Sequence, residues 1–241
     1  VKYEKTITVD KSLCIDGKIT YKNLFTLMID TSNEQSKELN ATSEDLIELG
    51  YTWMIYKWRV DFEDIPRENE KIRIVTWASD FIRLNAFREF EVFNERNEKI
   101  ISASVVFLIV DINKKKPIRI PEEVAKRFGV EKKRNFENIE RFKVKGELFS
   151  ENNLKVQEEN IDVNNHVNNA VYVDWIVNSM PEEFRRNYKL KSINIIYHKE
   201  ITDFEKVCIK SLKSEKNCLY TEISTRELNA AAKSIWKRKL D

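Results

Sequence analysis

The chain is poor in the residues that punctuate a fold or staple it. Four glycines and four prolines in 241 residues leave few points where an element must break, so long elements and few loops are expected. The three cysteines, Cys14, Cys208 and Cys218, are odd in number, far apart and without a C-x-x-C spacing. Neither a disulfide framework nor a zinc site follows, and no metal or organic cofactor is expected. No apolar run approaches the roughly 18 residues a membrane-spanning helix needs. Residues 1–10 alternate in charge without an apolar stretch, so no signal peptide is expected there. An excess of one charge is missing too: 42 Lys+Arg stand against 40 Asp+Glu, a formal net charge of +2. That balance supplies no global field for nucleic acid or an anionic membrane, and no basic reading element is visible. A cytoplasmic protein with neither of those partners is expected.

What is present is a globular composition, 41% hydrophobic and 34% charged, in a chain long enough to bury a core without staples. Residues 3–9 alternate and suggest an opening strand. Residues 20–35 carry Leu24, Leu27, Met28 and Thr31 at i, i+3, i+4 and i+7, with Phe25 and Ile29 widening the face; this spacing predicts a helix. A shorter helix is predicted over 43–49, with Ser43 as N-cap and Gly50 just past its end. The period then changes to two, and 51–62, 70–79, 85–94 and 100–111 are predicted strands.

A charged segment around Glu131-Lys132-Lys133-Arg134 separates this order from a smaller copy of it. An extended stretch (153–162) leads to a helix (169–180), followed by strands at 191–200, 205–212, 218–226 and 230–239. The division is therefore an N-terminal unit over 1–128, a charged linker over 129–147 and a C-terminal unit over 148–241, the product of a tandem duplication. Within the second helix Val171, Tyr172, Val173, Trp175, Ile176, Val177 and Met180 leave few polar positions. A helix apolar nearly all round must be wrapped by protein. A short helix enclosed by a curved antiparallel sheet is the hot-dog arrangement, and two of them make an α+β double hot dog.

Immediately before that helix stands Asp162-Val163-Asn164-Asn165-His166-Val167-Asn168-Asn169. If the stretch is extended, period two places Asp162, Asn164 and His166 on one side. Asn168 or Asn169 can cap the helix, whose free N–H groups would then lie beside the cluster. Groups able to orient and move protons, next to oriented N–H donors, suit an oxyanion developing on a carbonyl. The first unit has no matching cluster, since residues 14–19 before its helix lack His and Asn.

Asp-x-Asn-x-His-Val-Asn-Asn followed by Tyr172 and Trp175 resembles the signature of acyl-ACP thioesterases. The resemblance continues through Ser179 and Pro181 and resumes at Tyr197-His198-Lys199-Glu200, where plant members carry Tyr-Arg-Arg-Glu-Cys. In the first half Trp53 through Phe62, Pro66 and Val75-Thr76-Trp77 look like the corresponding strands. The resemblance implies Asp162, Asn164, His166 and Glu200 as the catalytic set and acyl carrier protein as partner. It further implies an acyl chain held mainly in the first unit, with Leu24, Met28 and Trp53 as candidates for its lining. The departure is Ile201, which stands where plant enzymes have a cysteine. A Cys-His-Asn mechanism is closed here, for Cys208 lies about 23 Å further along a straight strand.

What remains is carboxylate chemistry. In one version Glu200, a carboxylate raised toward neutrality by burial, takes a proton from water, His166 and Asn164 stabilise the oxyanion and Asp162 orients one of them. In another Asp162 attacks the thioester and water resolves an anhydride. In a continuous strand His198 would share a face with Glu200 and could approach the site, but the arginine that the family carries there favours a surface or phosphopantetheine-facing role. Because acyl carrier protein is acidic, Lys114-Lys115-Lys116, Lys132-Lys133-Arg134, Arg185-Arg186 and Lys237-Arg238-Lys239 are candidate docking clusters. The alternatives are an acyl-CoA thioesterase of the hot-dog class and a non-catalytic acyl-binding or regulatory protein. The tandem units can pair internally, so monomer and homodimer both stay open.

Overall fold

A computed structural model of the chain describes residues 1–162, 165–202, 206–215 and 217–239. Its internal contacts divide it into two units, Val1–Ile139 and Glu140–Asp241. In the first, β1 (Tyr3–Thr8) alternates partly covered and exposed side chains, and a small hairpin of β2 (Cys14–Ile15) and β3 (Lys18–Ile19) follows. Helix α1 (Tyr21–Glu38) begins where the Thr20 side chain accepts the Asn23 N–H at 3.2 Å. Helix α2 (Ser43–Ile47) is capped by Thr42, one residue before the expected Ser43. Asp45 stands three positions after Thr42 and its carboxylate accepts the Thr42 N–H at 2.8 Å, the reciprocal box that favours Thr42 over its neighbour.

Four long antiparallel strands follow: β4 (Tyr51–Phe62), β5 (Lys71–Ile82), β6 (Asn85–Phe93) and β7 (Lys99–Asp111). Short β8 (Lys116–Ile118) pairs with β7, and α3 (Glu122–Phe128) ends the run. The strand order of this unit is β1-β5-β6-β7-β4. Its core forms where the apolar face of α1 meets the sheet: Leu24, Phe25 and Met28 are buried with Trp58 and Phe90. Phe25 meets Trp58 at 4.8 Å between ring centroids, and Trp58 stacks on Phe90 at 5.6 Å. Residues 129–146 contain no helix or strand, yet their first part lies along β5–β7. Trp77 donates to the Lys133 carbonyl, and the Asn135 amide donates to the carbonyls of Phe90 and Ala103, both at 2.9 Å.

The second unit contains β9 (Glu147–Lys155), α4 (Val171–Asn178), α5 (Glu182–Asn187), β10 (Tyr188–Tyr197), β11 (Lys206–Glu215), β12 (Cys218–Ser224) and β13 (Leu228–Arg238). Its strand order is β10-β13-β12-β11-β9, with every pairing antiparallel. In both units the strand before the main helix lies beside the second of the four long strands after it. The first of those four takes the other end of the order. This shared topology is the duplication expected from the sequence, and each unit is an antiparallel sheet with a buried helix. Val171, Tyr172, Val173, Trp175 and Ile176 of α4 are all buried.

Three boundaries differ from expectation in ways that matter for the site. The strand predicted at 153–162 lies earlier, as β9, leaving 156–170 as connecting chain. Helix α4 starts at Val171 with Ala170 as N-cap and no side-chain cap; neither Asn168 nor Asn169 caps it as expected, for the Asn168 side chain accepts the Ala170 N–H at 2.9 Å one residue before the helix. The strand predicted at 191–200 is β10, which begins and ends three residues earlier. It stops because the N–H groups of His198 and Lys199 both turn onto one carbonyl, that of Asn229.

Candidate active site

The described residues before α4, Asp162, Asn165 and His166, are held by turn hydrogen bonds and do not run as a strand. Ile161 and Val167 pair across the base of the turn. The Asp162 N–H donates to the His166 carbonyl at 2.7 Å, and the Asn165 N–H donates to the Asp162 carbonyl at 3.0 Å. Asn165 takes the left-handed conformation, φ 61°, which asparagine tolerates better than most residues. The period-two argument for a shared side therefore fails locally. The turn nevertheless joins two of the predicted residues, since the His166 N–H donates to Asp162 Oδ1 at 3.2 Å. Asn164 lies outside the described residues.

Glu200 arrives from the irregular segment that follows β10. Its Oε2 stands 3.4 Å from His166 Nε2. A backbone bond from the Val167 N–H to the Ile201 carbonyl, 2.8 Å, ties together the residues that follow each of them. Glu200 is half exposed, 52% of its side chain, and His166 is 33% exposed. The burial expected for Glu200 is thus slight, because the chain has left the sheet before reaching it. His198 is exposed, and with β10 ended at Tyr197 the argument that it shares a strand face with Glu200 no longer holds.

Beneath the pair lies an aromatic floor. Tyr172 sits against Trp175 at 5.4 Å and Tyr197 at 5.3 Å between centroids. Tyr197 donates its hydroxyl proton to the Asn169 carbonyl at 2.8 Å, fixing the chain just before α4. Burial pushes the Tyr172 hydroxyl far above its ordinary range; the Glu200 charge adds to this and a hydrogen bond from Ile201 opposes it. Burial likewise raises Tyr197. Both stay protonated near neutrality. Tyr172 is core, as the sequence suggests, at 1% exposure; sequence reasoning gave Tyr197 no task, because the destination of a hydroxyl is invisible in a one-dimensional pattern.

The thiols stand apart from this chemistry. Cys14 is in β2, Cys208 in β11 and Cys218 in β12, and none makes a disulfide. Burial raises the Cys218 thiol, which disfavours its nucleophilic form. Ile201 is buried with 2% exposure. Among the described residues no group of three or more His, Cys, Asp or Glu side chains is arranged to hold a metal. No helix there is long and apolar enough to cross a membrane.

Fold and site define a tandem hot-dog protein whose polar cluster belongs to its second unit. The sequence profile of the acyl-ACP thioesterase N-terminal domain matches residues 2–128, and that of the acyl-ACP thioesterase C-terminal domain matches 144–238. The chain belongs to the acyl-ACP thioesterase family. It is 22% identical over 199 residues to the chloroplastic acyl-[acyl-carrier-protein] hydrolase FATB3 of Cuphea viscosissima, covering 77% of this chain and 48% of that one. It is also 22% identical over 173 residues to the chloroplastic oleoyl-acyl carrier protein thioesterase 1 of Arabidopsis thaliana, covering 66% and 48%. The chain thus spans about half the length of these curated relatives. The fold is shared with the crystal structure of an acyl-ACP thioesterase from Bacteroides thetaiotaomicron, TM-score 0.89 at 20% identity, covering 98% of both chains. The 12:0-ACP thioesterase from Umbellularia californica has the same fold, TM-score 0.86 at 16% identity, covering 99% of this chain and 98% of that one.

Proposed function

We propose that the protein hydrolyses the thioester of fatty acyl-acyl carrier protein, releasing free fatty acid and the carrier. The observation that carries this reading is the His166–Glu200 pair, 3.4 Å apart, beside the buried helix of a family member. Glu200 takes a proton from water as the water attacks the thioester carbonyl. His166 and Asn164, with N–H groups near the start of α4, stabilise the tetrahedral oxyanion. Collapse of the intermediate expels the phosphopantetheine thiolate, which needs little acid assistance. Asp162 keeps its place by accepting the His166 N–H, which supports an orienting role over that of nucleophile.

The acyl chain occupies the first unit, with Leu24, Met28 and Trp53 as candidate lining; Leu24 and Met28 are fully buried, and the half-buried Trp53 donates its indole N–H to the Ala41 carbonyl at 3.0 Å. Domain limits of 1–128 and 148–241, with 129–147 between them, belong to the same proposal, as do the cytoplasmic location and the acidic carrier as partner. Of the candidate docking clusters three are partly neutralised by the protein's own carboxylates: Lys114 faces Asp111 at 3.7 Å. Lys133 faces Glu91 at 3.5 Å and Arg134 faces Asp80 at 3.0 Å, while Arg186 pairs with Glu182 at 2.5 Å.

The test is hydrolysis of a chain-length series of acyl-carrier proteins and the matching acyl-CoAs, with His166→Ala alongside. His166-dependent release faster from the carrier than from CoA supports the proposal. Equal or better turnover of CoA esters reassigns the protein as an acyl-CoA thioesterase. Tight acyl binding without release leaves a binding protein.

A further inference from the structure

Glu200 is half exposed and belongs to no strand or helix, so packing of its own side chain does not fix its place. Its backbone neighbours do. On one side the Ile201 carbonyl is bonded to the Val167 N–H, next to His166. On the other side the backbone of 198–199 is bonded to Asn229, at the start of β13. The Asn229 carbonyl accepts the His198 N–H at 2.8 Å and the Lys199 N–H at 3.2 Å. Its side-chain Nδ2 donates to the Lys199 carbonyl at 3.3 Å, and its Oδ1 accepts the Thr225 N–H at 2.7 Å from the turn between β12 and β13. Asn229 is 1% exposed.

We propose that Asn229 is a positioning residue for Glu200: its buried amide locks the 198–199 turn to the β12–β13 turn and so holds the carboxylate against His166. This rests on the role given to Glu200 above. The task needs an amide. One end must accept an N–H and the other must donate to a carbonyl, which an ionised carboxylate cannot do and alanine does not attempt. Neither group is left in water to find another partner.

A double-mutant cycle of Asn229→Asp with Glu200→Gln tests it, read as kcat and KM on acyl-carrier protein, with amide hydrogen exchange of His198 and Lys199. In the parent background Asn229→Asp lowers kcat roughly 10- to 100-fold, the loss expected when a catalytic group is displaced by about 1 Å, while KM is kept. In the Glu200→Gln background it costs nothing further, because its effect passes through a carboxylate already removed. Exchange at His198 and Lys199 quickens. An equal loss in both backgrounds, a change in KM alone, or an unchanged kcat overturns the proposal. If the parent itself releases no fatty acid, the functional reading fails, and unchanged exchange in Asn229→Asp then separately overturns the clamp. Should the aspartate not fold, Asn229→Ser, neutral and shorter, takes its place in the cycle.

Discussion

His166 Nε2 and Glu200 Oε2 stand 3.4 Å apart because the residue following each is hydrogen-bonded to the other's neighbour, Val167 N–H to Ile201 carbonyl at 2.8 Å. The two side chains are therefore placed by backbone and are only lightly buried. Glu200→Gln keeps the shape and removes the base, and kcat is expected to fall by about 10²- to 10⁴-fold. KM should hold and thermal stability should barely move, since exposed ion pairs contribute about 0–1 kcal/mol. Steady-state kinetics beside a melting curve checks both; an active Glu200→Gln enzyme would remove Glu200 from the mechanism.

No thiol reaches the pair, so sulfur is dispensable. The triple variant Cys14→Ser, Cys208→Ser, Cys218→Ser should retain kcat within about a factor of two, because no thiol carries the attack. Inactivation of the parent by a thiol-alkylating reagent, abolished in the triple variant with kcat lost as well, would point the other way.

Glu89 in β6 makes stability depend on pH. Burial raises its carboxyl, while hydrogen bonds from Ser104, the Asn135 N–H and Ser79 oppose the shift. The folded state therefore holds the proton more tightly than the unfolded one, and stability from this group is present below the ordinary glutamate value and lost as pH rises past it. Glu89→Gln cannot titrate. The Tm of the parent minus that of the variant should fall as pH rises past the ordinary glutamate value. A difference that is flat or rises with pH contradicts the assignment.

Arg88, 6% exposed, directs Nη1 to Gln35 Oε1 at 2.6 Å and to Thr76 Oγ1 at 3.3 Å. Burial lowers its guanidinium to about 10, so it remains charged near neutrality. Gln35→Leu strips the stronger acceptor from this cation and should cost about 1–3 kcal/mol in urea unfolding. Adding Arg88→Met removes the stranded charge and should restore much of the loss, as replacing a whole buried polar set often does. A double variant weaker than Gln35→Leu alone would show that the guanidinium is needed.

The long strands and both main helices were legible because each carries a strong period. The face of α1 is announced by Leu24 and Met28, and the wrapping of α4 by its nearly unbroken apolar run. The motif around His166 was legible as chemistry although its geometry was not. A tight turn brought Asp162 and His166 together where an extended strand was expected, because Asn165 at φ 61° closes a loop that period-two reasoning does not see. Asn229 was invisible for a related reason. It stands in an ordinary strand sequence, and its value lies in three hydrogen bonds to residues 198–199, distant along the chain, and one to Thr225 across the adjacent turn. Short features set by tertiary contact, such as β8 and α3, carry too few residues to show a period.

The most direct measurement is a single-turnover hydrolysis of acyl-carrier protein in 18O-water, with excess enzyme and mass analysis of both the fatty acid and the peptide containing Asp162. The proposed mechanism predicts 18O in the fatty acid of the first turnover and none in Asp162, since Glu200 delivers water directly to the carbonyl. An unlabelled first-turnover fatty acid with 18O in Asp162 would contradict it and make Asp162 the nucleophile.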